Sequence, residues 1–520
     1  MTLSTHLTRV TLLMACVAGF LGWTAGNTAI LFADGLRYID QARRLDAGDT
    51  LDGLFRSVDH PAYPLAVAGI HRVLGGEGPM AWQHAGQAAS IVAGVLLVIP
   101  LYLVAAEMFG GAAAWLAVVL TFLVPLTGHV LSDTLSEGLF LLFFTWGVWT
   151  ALRFLKEGSF GWLPPTVGFA ALAYWVRPEG LLLPAALVAT LGVIPLLRST
   201  RLHWPRWWAA VGFLVIGPAL LIAPIVASKG GIATKPAVGR FFGTAPQSAA
   251  LAVERTRPLK PGQTTGQTYL QATRAMALAV RDAVTIPLLP LALLGLIFSW
   301  PPGERARPWV FLSIVMAAWA LALIRLHATG GYCTPRHAMI LAFPLIASAA
   351  FGLSRLLGMV RIPGRWVGRE DGRYTAGPLV WALALLGLVS CYRAELVTPV
   401  NDQFVGYRQA AGYLDAHVPE GEKVVDLTGW SLYYGRRPGY TFANLIEAMG
   451  DKGLTRVVVR DSHLKGPWGY CQQVRQLIGD RKPVATYPEH PVRDQSPVFV
   501  YDWSDEAKRT AQGPPAGSRR

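Results

Sequence analysis

Residues 10–32 read VTLLMACVAGFLGWTAGNTAILF and are followed at once by Ala33-Asp34-Gly35-Leu36-Arg37-Tyr38. The reading of that junction decides the fold. The run holds no charged side chain, and it is long enough to cross a hydrocarbon core of about 30 Å. His6 and Arg9 precede it, so it resembles a secretory signal. Its length and the aspartate directly after it favour an uncleaved first span instead. A carboxylate at that place sits on the water–lipid boundary and stays ionised beside an apolar groove. Ionisable residues so placed are functional candidates. The plainer alternative is that Asp34 ends the helix in solvent. From here the stretch runs on to Asp59-His60-Pro61-Ala62-Tyr63-Pro64, a turn-forming run before a short apolar segment.

Working outward, apolar windows recur near 85–107, 111–128, 134–154, 162–176, 181–197, 207–227, 284–300, 308–326, 337–358 and 377–394, giving about eleven spans. Of the 520 residues 52% are hydrophobic and 15% charged. Soluble domains carry about 25% charged residues, so the chain reads as a polytopic, mainly α-helical membrane bundle. The net charge of +14 does not indicate nucleic acid, because the basic residues fall between apolar runs. Cys16, Cys333, Cys391 and Cys471 show no CxxC spacing, which leaves a zinc or thioredoxin-type motif unsupported. Neither a GxGxxG fingerprint nor a P-loop is present, so a nucleotide site has no support.

Loop charge sets the orientation. With the N-terminus inside, the inside loops hold Arg153 and Lys156, then Arg198, Arg201 and Arg206, then Arg305 and Arg307, then Arg361, Arg365, Arg369 and Arg373. The loops 33–84 and 228–283 and the C-terminal segment are then outside. The 228–283 loop carries eight basic residues, among them Lys229, Lys235 and Arg240, against Glu254 and Asp282. That excess suits an anionic partner such as a lipid phosphate; the alternative is a solvated loop without a ligand. Beyond residue 400 the pattern changes. Val424-Val425-Asp426-Leu427, Val457-Val458-Val459 and Val498-Phe499-Val500-Tyr501 read as strands. Segments near 404–417, 443–450 and 470–478 read as helices. A small extracytoplasmic α/β domain over 400–505 follows, after a membrane domain over 1–395 and before a disordered tail, 506–520.

The chemistry-bearing residues converge on one predicted face. Asp133 and Glu137 lie in Leu131-Ser132-Asp133-Thr134-Leu135-Ser136-Glu137, where i,i+4 spacing on a helix aligns both carboxylates. Arg177 and Glu179 lie in Val176-Arg177-Pro178-Glu179-Gly180, and Arg336 in Thr334-Pro335-Arg336-His337. A guanidinium is suited to bidentate recognition of phosphate. The competing readings are helix-terminal acids favoured by the macrodipole, an Arg177–Glu179 salt bridge, and interfacial snorkelling of Arg336. A lone His60 makes no metal site by itself.

These motifs, in this order, resemble polytopic glycosyltransferases of the GT-C fold, the group that includes protein O-mannosyltransferases and lipid A aminoarabinose transferases. The likeness rests on Asp34-x-x-x-Tyr38-x-x-x-Ala42, His60-Pro61-x-Tyr63-Pro64, Asp133-Thr134-Leu135-Ser136-Glu137, Arg177-Pro178-Glu179-Gly180 and Arg336, and covers roughly residues 1–395. The resemblance implies a polyprenyl-phosphate sugar donor, an extracytoplasmic acceptor (lipid, glycan or protein) and inversion at the anomeric carbon; high Ala, Gly and Arg content points to a bacterium, and so to its inner membrane. It implies Asp34 as general base, with Asp133 and Glu137 orienting the acceptor or anchoring Arg177. Arg336, with Arg177 or basic residues of the 228–283 loop, would oppose charge on the leaving phosphate. Tyr38, His60, Tyr63 and Glu179 would line the substrate site. Some members carry an acidic pair where this chain has Asp34-Gly35. Others hold a divalent metal through an acid and a histidine, for which Asp59 and His60 are the local candidates, so metal dependence stays open. Two further readings compete: a flippase for a lipid-linked saccharide, and a noncatalytic scaffold.

Overall fold

The computed structural model describes residues 3–196, 204–232, 265–299, 306–359, 367–370, 373–376, 378–441, 444–466, 469–492 and 495–504. The centre of the basic 228–283 loop and the expected 506–520 tail lie outside the described residues.

Each apolar window of the sequence coincides with a helix or a helix pair. In chain order these are α1 (Leu3–Gly26), α2 (Ala33–Asp46), α3 (Leu51–Arg56), α4 (Ala62–Leu74), α5 (Gly78–Phe109), α6 (Gly111–Leu123), α7 (Pro125–Ser132) and α8 (Glu137–Glu157). There follow α9 (Leu163–Val176), α10 (Leu182–Val193), α11 (Trp204–Lys229), α12 (Thr265–Val284), α13 (Leu288–Ser299), α14 (Arg307–Gly330), α15 (Met339–Met359) and α16 (Pro378–Val397). Among the described residues, six helices are long and apolar enough to span a membrane: α1, α5, α8, α11, α14 and the segment Pro335–Leu357 that contains α15. The number rises to eight if two bent pairs each count as one span, α6–α7 at 72° and α12–α13 at 95°. The α6–α7 break falls where Pro125, which has no N–H, restarts the helix. The windows 162–176 and 181–197 become α9 and α10. Their 14 and 12 residues reach only about 21 and 18 Å at 1.5 Å per residue. One apolar core runs from Val17 on α1 to Leu353 on α15 and joins the bundle.

A short hairpin, β1 (Val367–Glu370) with β2 (Arg373–Ala376), precedes α16. The C-terminal unit then comprises α17 (Val405–His417), β3 (Lys423–Asp426), α18 (Trp430–Tyr434), β4 (Gly439–Tyr440), α19 (Leu445–Gly450), β5 (Leu454–Arg460), α20 (Asp461–Lys465), α21 (Gly469–Ile478), β6 (Ala485–Tyr487) and β7 (Val498–Asp502). The sheet order is β4-β3-β5-β7-β6. The β3–β4 and β3–β5 pairs are parallel, and β7 is antiparallel to β5 and β6. Successive side chains on a strand face opposite ways, and here both faces are buried. Val457 and Val459 enter one core, with Val474 and Ile478 of α21. Val458 enters the other, with Tyr407 and Leu414 of α17.

That second core also takes in Ile30, from the link between α1 and α2. Val400 and Thr28 form a parallel bridge. The indole of Trp430 donates to the Leu31 carbonyl at 2.8 Å. The Tyr434 hydroxyl donates to Gln83 at 2.7 Å and accepts from the Leu31 amide at 3.0 Å. The C-terminal unit is thus seated on the residues that lead into α2.

Candidate active site

Asp34 lies in the first turn of α2, where the helix dipole favours an acid. Arg37 sits three residues on, and its Nη1 lies 3.0 Å from Asp34 Oδ1. The same guanidinium donates from Nε to Asp59 Oδ2 at 3.0 Å, and Gln41 donates to that oxygen at 3.2 Å. On the other side of Asp34, Arg336 Nη2 donates to Oδ2 at 2.6 Å. Arg336 Nη1 stands 3.5 Å from Glu137 Oε1. Arg177 Nη1 donates to that same oxygen at 2.8 Å, and its Nη2 donates to Glu179 Oε1 at 2.8 Å. Seven side chains therefore alternate in sign: Glu179, Arg177, Glu137, Arg336, Asp34, Arg37, Asp59.

Local sequence explains how each member arrives. Arg177 precedes Pro178, which disfavours helical backbone before it. Arg177 is extended there (φ −154°, ψ 143°) and turns out of α9. Gly180 lets that turn close, because a Cβ on it would lie 2.2 Å from the Tyr174 amide nitrogen. Arg336 sits in a short 3-10 turn, Pro335–Ala338, with the Thr334 hydroxyl 2.7 Å from His337 Nδ1. Trp319 on α14 donates to the His337 carbonyl at 2.8 Å and fixes the turn to the bundle. Glu137 opens α8. The Arg336 guanidinium also lies 4.5 Å from the Phe32 ring centroid.

The expected i,i+4 pairing of Asp133 with Glu137 does not occur. The chain is extended at Asp133 (φ −96°, ψ 167°), and α8 begins only at Glu137. The two acids serve different partners. Asp133 accepts from the Phe32 amide at 3.0 Å, from the Thr134 amide at 2.7 Å and from Asn401 Nδ2 at 2.7 Å. Burial pushes Asp133 up to about 6, against these donors, which favour its charge. Asn401 also donates to the Ile30 carbonyl at 2.9 Å from a left-handed backbone, φ +60°. Asp133 thus holds the residues before Asp34 and does not itself join the charged chain.

Other expected site residues are packed. The Tyr38 hydroxyl meets Ser136 Oγ at 3.0 Å. Tyr63, fully buried, meets Ser90 Oγ at 2.8 Å and stands edge-on to Tyr38 at 5.0 Å. His60 is buried and edge-on to Tyr174 at 4.9 Å. Asn401 and the bridging role of Arg37 escaped the sequence reading. Arg37 was legible in principle from its i,i+3 spacing to Asp34; Asn401 left no signal.

Asp34 and Arg336 are 21% and 18% exposed, so the middle of the chain is partly open, whereas Asp59 is 1% exposed. Glu137, Arg177 and Arg336 line a small cavity in which Leu141 and Ile340 form the apolar wall. Those two residues also line an apolar cavity of about 100 Å³ between α5, α8, α14 and α15. Charge at one end and hydrocarbon at the other suits an amphiphile with an anionic head. Among the described residues, no three His, Cys, Asp or Glu gather as metal ligands. Both Asp34 oxygens face guanidinium groups, so the residues as they stand do not form a divalent-cation seat.

The family described as dolichyl-phosphate-mannose-protein mannosyltransferase matches residues 61–222. No curated protein sequence matches the chain. Among solved structures, the chain is similar to the archaeal oligosaccharyltransferase AglB from Archaeoglobus fulgidus, in complex with an inhibitory peptide and a dolichol-phosphate. Identity is 13%, the TM-score 0.56, and the match covers 88% of this chain and 70% of that one. It is also similar to ArnT from Cupriavidus metallidurans bound to undecaprenyl phosphate, with 12% identity, a TM-score of 0.53, and 94% and 97% of the two chains covered. The chain is a polytopic membrane protein with the GT-C fold of membrane glycosyltransferases.

Proposed function

We propose that the protein transfers a sugar from a polyprenyl-phosphate donor to an acceptor hydroxyl, with inversion, at the extracytoplasmic face of a bacterial inner membrane. One observation carries the reading: Asp34 and Arg336 meet in a charged chain that Leu141 and Ile340 separate from an apolar cavity. Support comes also from the two similar structures, whose bound lipids are dolichol-phosphate and undecaprenyl phosphate. The orientation follows from charge: Arg153 and Lys156 lie near the far end of α8 from Glu137.

In this reading the lipid phosphate binds near Arg336 and Arg177, and its tail follows the apolar cavity. Asp34 accepts the proton of the acceptor hydroxyl as the oxygen attacks the anomeric carbon. The bond from that carbon to the phosphate oxygen breaks on the opposite face, and polyprenyl phosphate leaves with the electron pair. Fixed guanidinium groups oppose the charge that grows there, in a site where water is scarce. Glu137 and Glu179 hold Arg177, and Asp59 holds Arg37, so the cations stay aimed.

The test is Asp34→Asn in purified protein with a lipid-linked sugar donor. General-base loss lowers transfer by about 10²–10⁴-fold, while polyprenyl phosphate still binds. Wild-type turnover in that variant rejects the base. Movement of labelled lipid across proteoliposomes without its consumption would instead favour the flippase.

A further inference from the structure

A cleft of about 720 Å³ lies between the start of α5 and the C-terminal unit, and it shares no residue with the charged chain. Three arginines face it: Arg408 on α17, and Arg436 and Arg437 just after α18. Among the described residues, neither Arg408 nor Arg436 has a carboxylate within ion-pair distance. Arg408 donates to the Ala29 carbonyl at 3.1 Å and lies 5.4 Å from the Tyr434 ring centroid. Arg436 holds left-handed backbone, φ +48°, a conformation that costs energy for a non-glycine residue. Its guanidinium rests on Gly78, where a Cβ would fall 2.1 Å from Nη2; Gly78 is itself left-handed, φ +83°.

Arg437 is the deepest of the three, with its side chain 5% exposed. Its Nη2 makes long contacts to Asp415, 3.2 Å to the carbonyl and 3.3 Å to Oδ1. Among the described residues, its Nε and Nη1 have no acceptor. Buried donors are nearly always paired; these two leave Arg437 with unused donor capacity at the cleft wall. Glu420 is the second acid on the cleft wall. Three guanidinium groups against two carboxylates, one of them already engaged, leave a net preference for an anion.

The place of the cleft along α5 bears on the kind of anion. The apolar window 85–107 leaves the first two turns of the 32-residue α5 outside a hydrocarbon core of about 30 Å, so Pro79 and Met80 lie at headgroup level. The C-terminal end of α4 leaves Val73 85% and Leu74 58% exposed, two apolar side chains suited to lipid. The cleft therefore opens where lipid phosphates lie, and the forked donors of arginine match a phosphate's oxygens.

We propose that this cleft is a second lipid site, remote from the reacting groups, that holds the phosphate of an anionic phospholipid headgroup. It does not depend on the transferase reading. Tyr434 lines the cleft and also bonds the Leu31 amide and Gln83, so a bound headgroup braces the C-terminal unit against α5.

The experiment is native mass spectrometry of the full chain in detergent, titrated with phosphatidylglycerol, phosphatidylcholine or inorganic phosphate. Wild type should retain phosphatidylglycerol at least tenfold more tightly than phosphatidylcholine. Arg408→Glu with Arg436→Glu should remove that preference, and Arg437→Gln should weaken it, with polyprenyl phosphate binding unchanged. The exposed control Arg44→Glu with Arg56→Glu should retain it. Equal retention of the two lipids, an unchanged preference in the cleft variant, or an equal loss in the control would each overturn the proposal. Inorganic phosphate that displaces the lipid at equal concentration would reassign the cleft to a free anion.

Discussion

Asp426 in the C-terminal sheet and Asp34 in the bundle satisfy their charge in opposite ways. Asp426 is fully buried at the end of β3 and accepts from the amide and hydroxyl of Thr428 and of Ser431. Its partners are two and five residues away and neutral. Burial pushes its carboxyl up, and those donors oppose the shift. Asp34 meets one guanidinium three residues on and another 302 residues away. A locally satisfied acid builds a turn. A row of distant, half-buried ion pairs stabilises little, because desolvation offsets the attraction. Under the proposed function, five separate segments of chain bring these groups together for the donor phosphate and the acceptor hydroxyl.

The contrast can be broken first at Arg336. Arg336→Ala leaves Glu137 and Asp34 without their shared cation, and transfer should fall by about 10²–10³-fold. Arg336→Lys should recover only part, since an ammonium keeps the charge but loses the fork. A kcat near wild type in both variants would make the chain a structural feature like Asp426. Conversely, Asp426→Ala should cost about 1–3 kcal/mol per unpaired buried donor, read as a lower unfolding temperature, with kcat unchanged in the surviving fold.

Asn401 joins the two regions, so its loss should sharpen the comparison. Its amide favours ionised Asp133, whose carboxyl burial pushes up to about 6. Asn401→Ala should therefore cost more stability above that pH than below it, where Asp133 is protonated in the folded protein. Unfolding midpoints at pH 5 and pH 8 give the sign; a pH-independent loss removes Asp133 from the account. The smallest effect is expected from Tyr38→Phe, about 1 kcal/mol for its hydrogen bond to Ser136. A large rise in KM with unchanged stability would return Tyr38 to the substrate site.

Legibility followed the range of each signal. Hydropathy over a window marked the helices, and Val457-Val458-Val459 marked a strand whose alternate side chains fill two cores. Asp34, Glu137, Arg177, Glu179 and Arg336 were each visible as charges at the ends of apolar runs. The helical register assigned to Asp133 and Glu137 failed because backbone donors and Asn401 draw Asp133 into extended chain. His60 and Tyr63 stood out by their motif, with a structural role as the alternative for His60; their rings pack on Tyr174 and Tyr38.

The sequence alone determined that this chain builds a bundle of apolar membrane helices and where along the chain those helices fall. These follow from transfer energies that add along a local stretch. Only the tertiary structure decided which acid meets which arginine. An ion pair needs atoms within about 4 Å, and no local property of residue 34 says that residue 336 will be there.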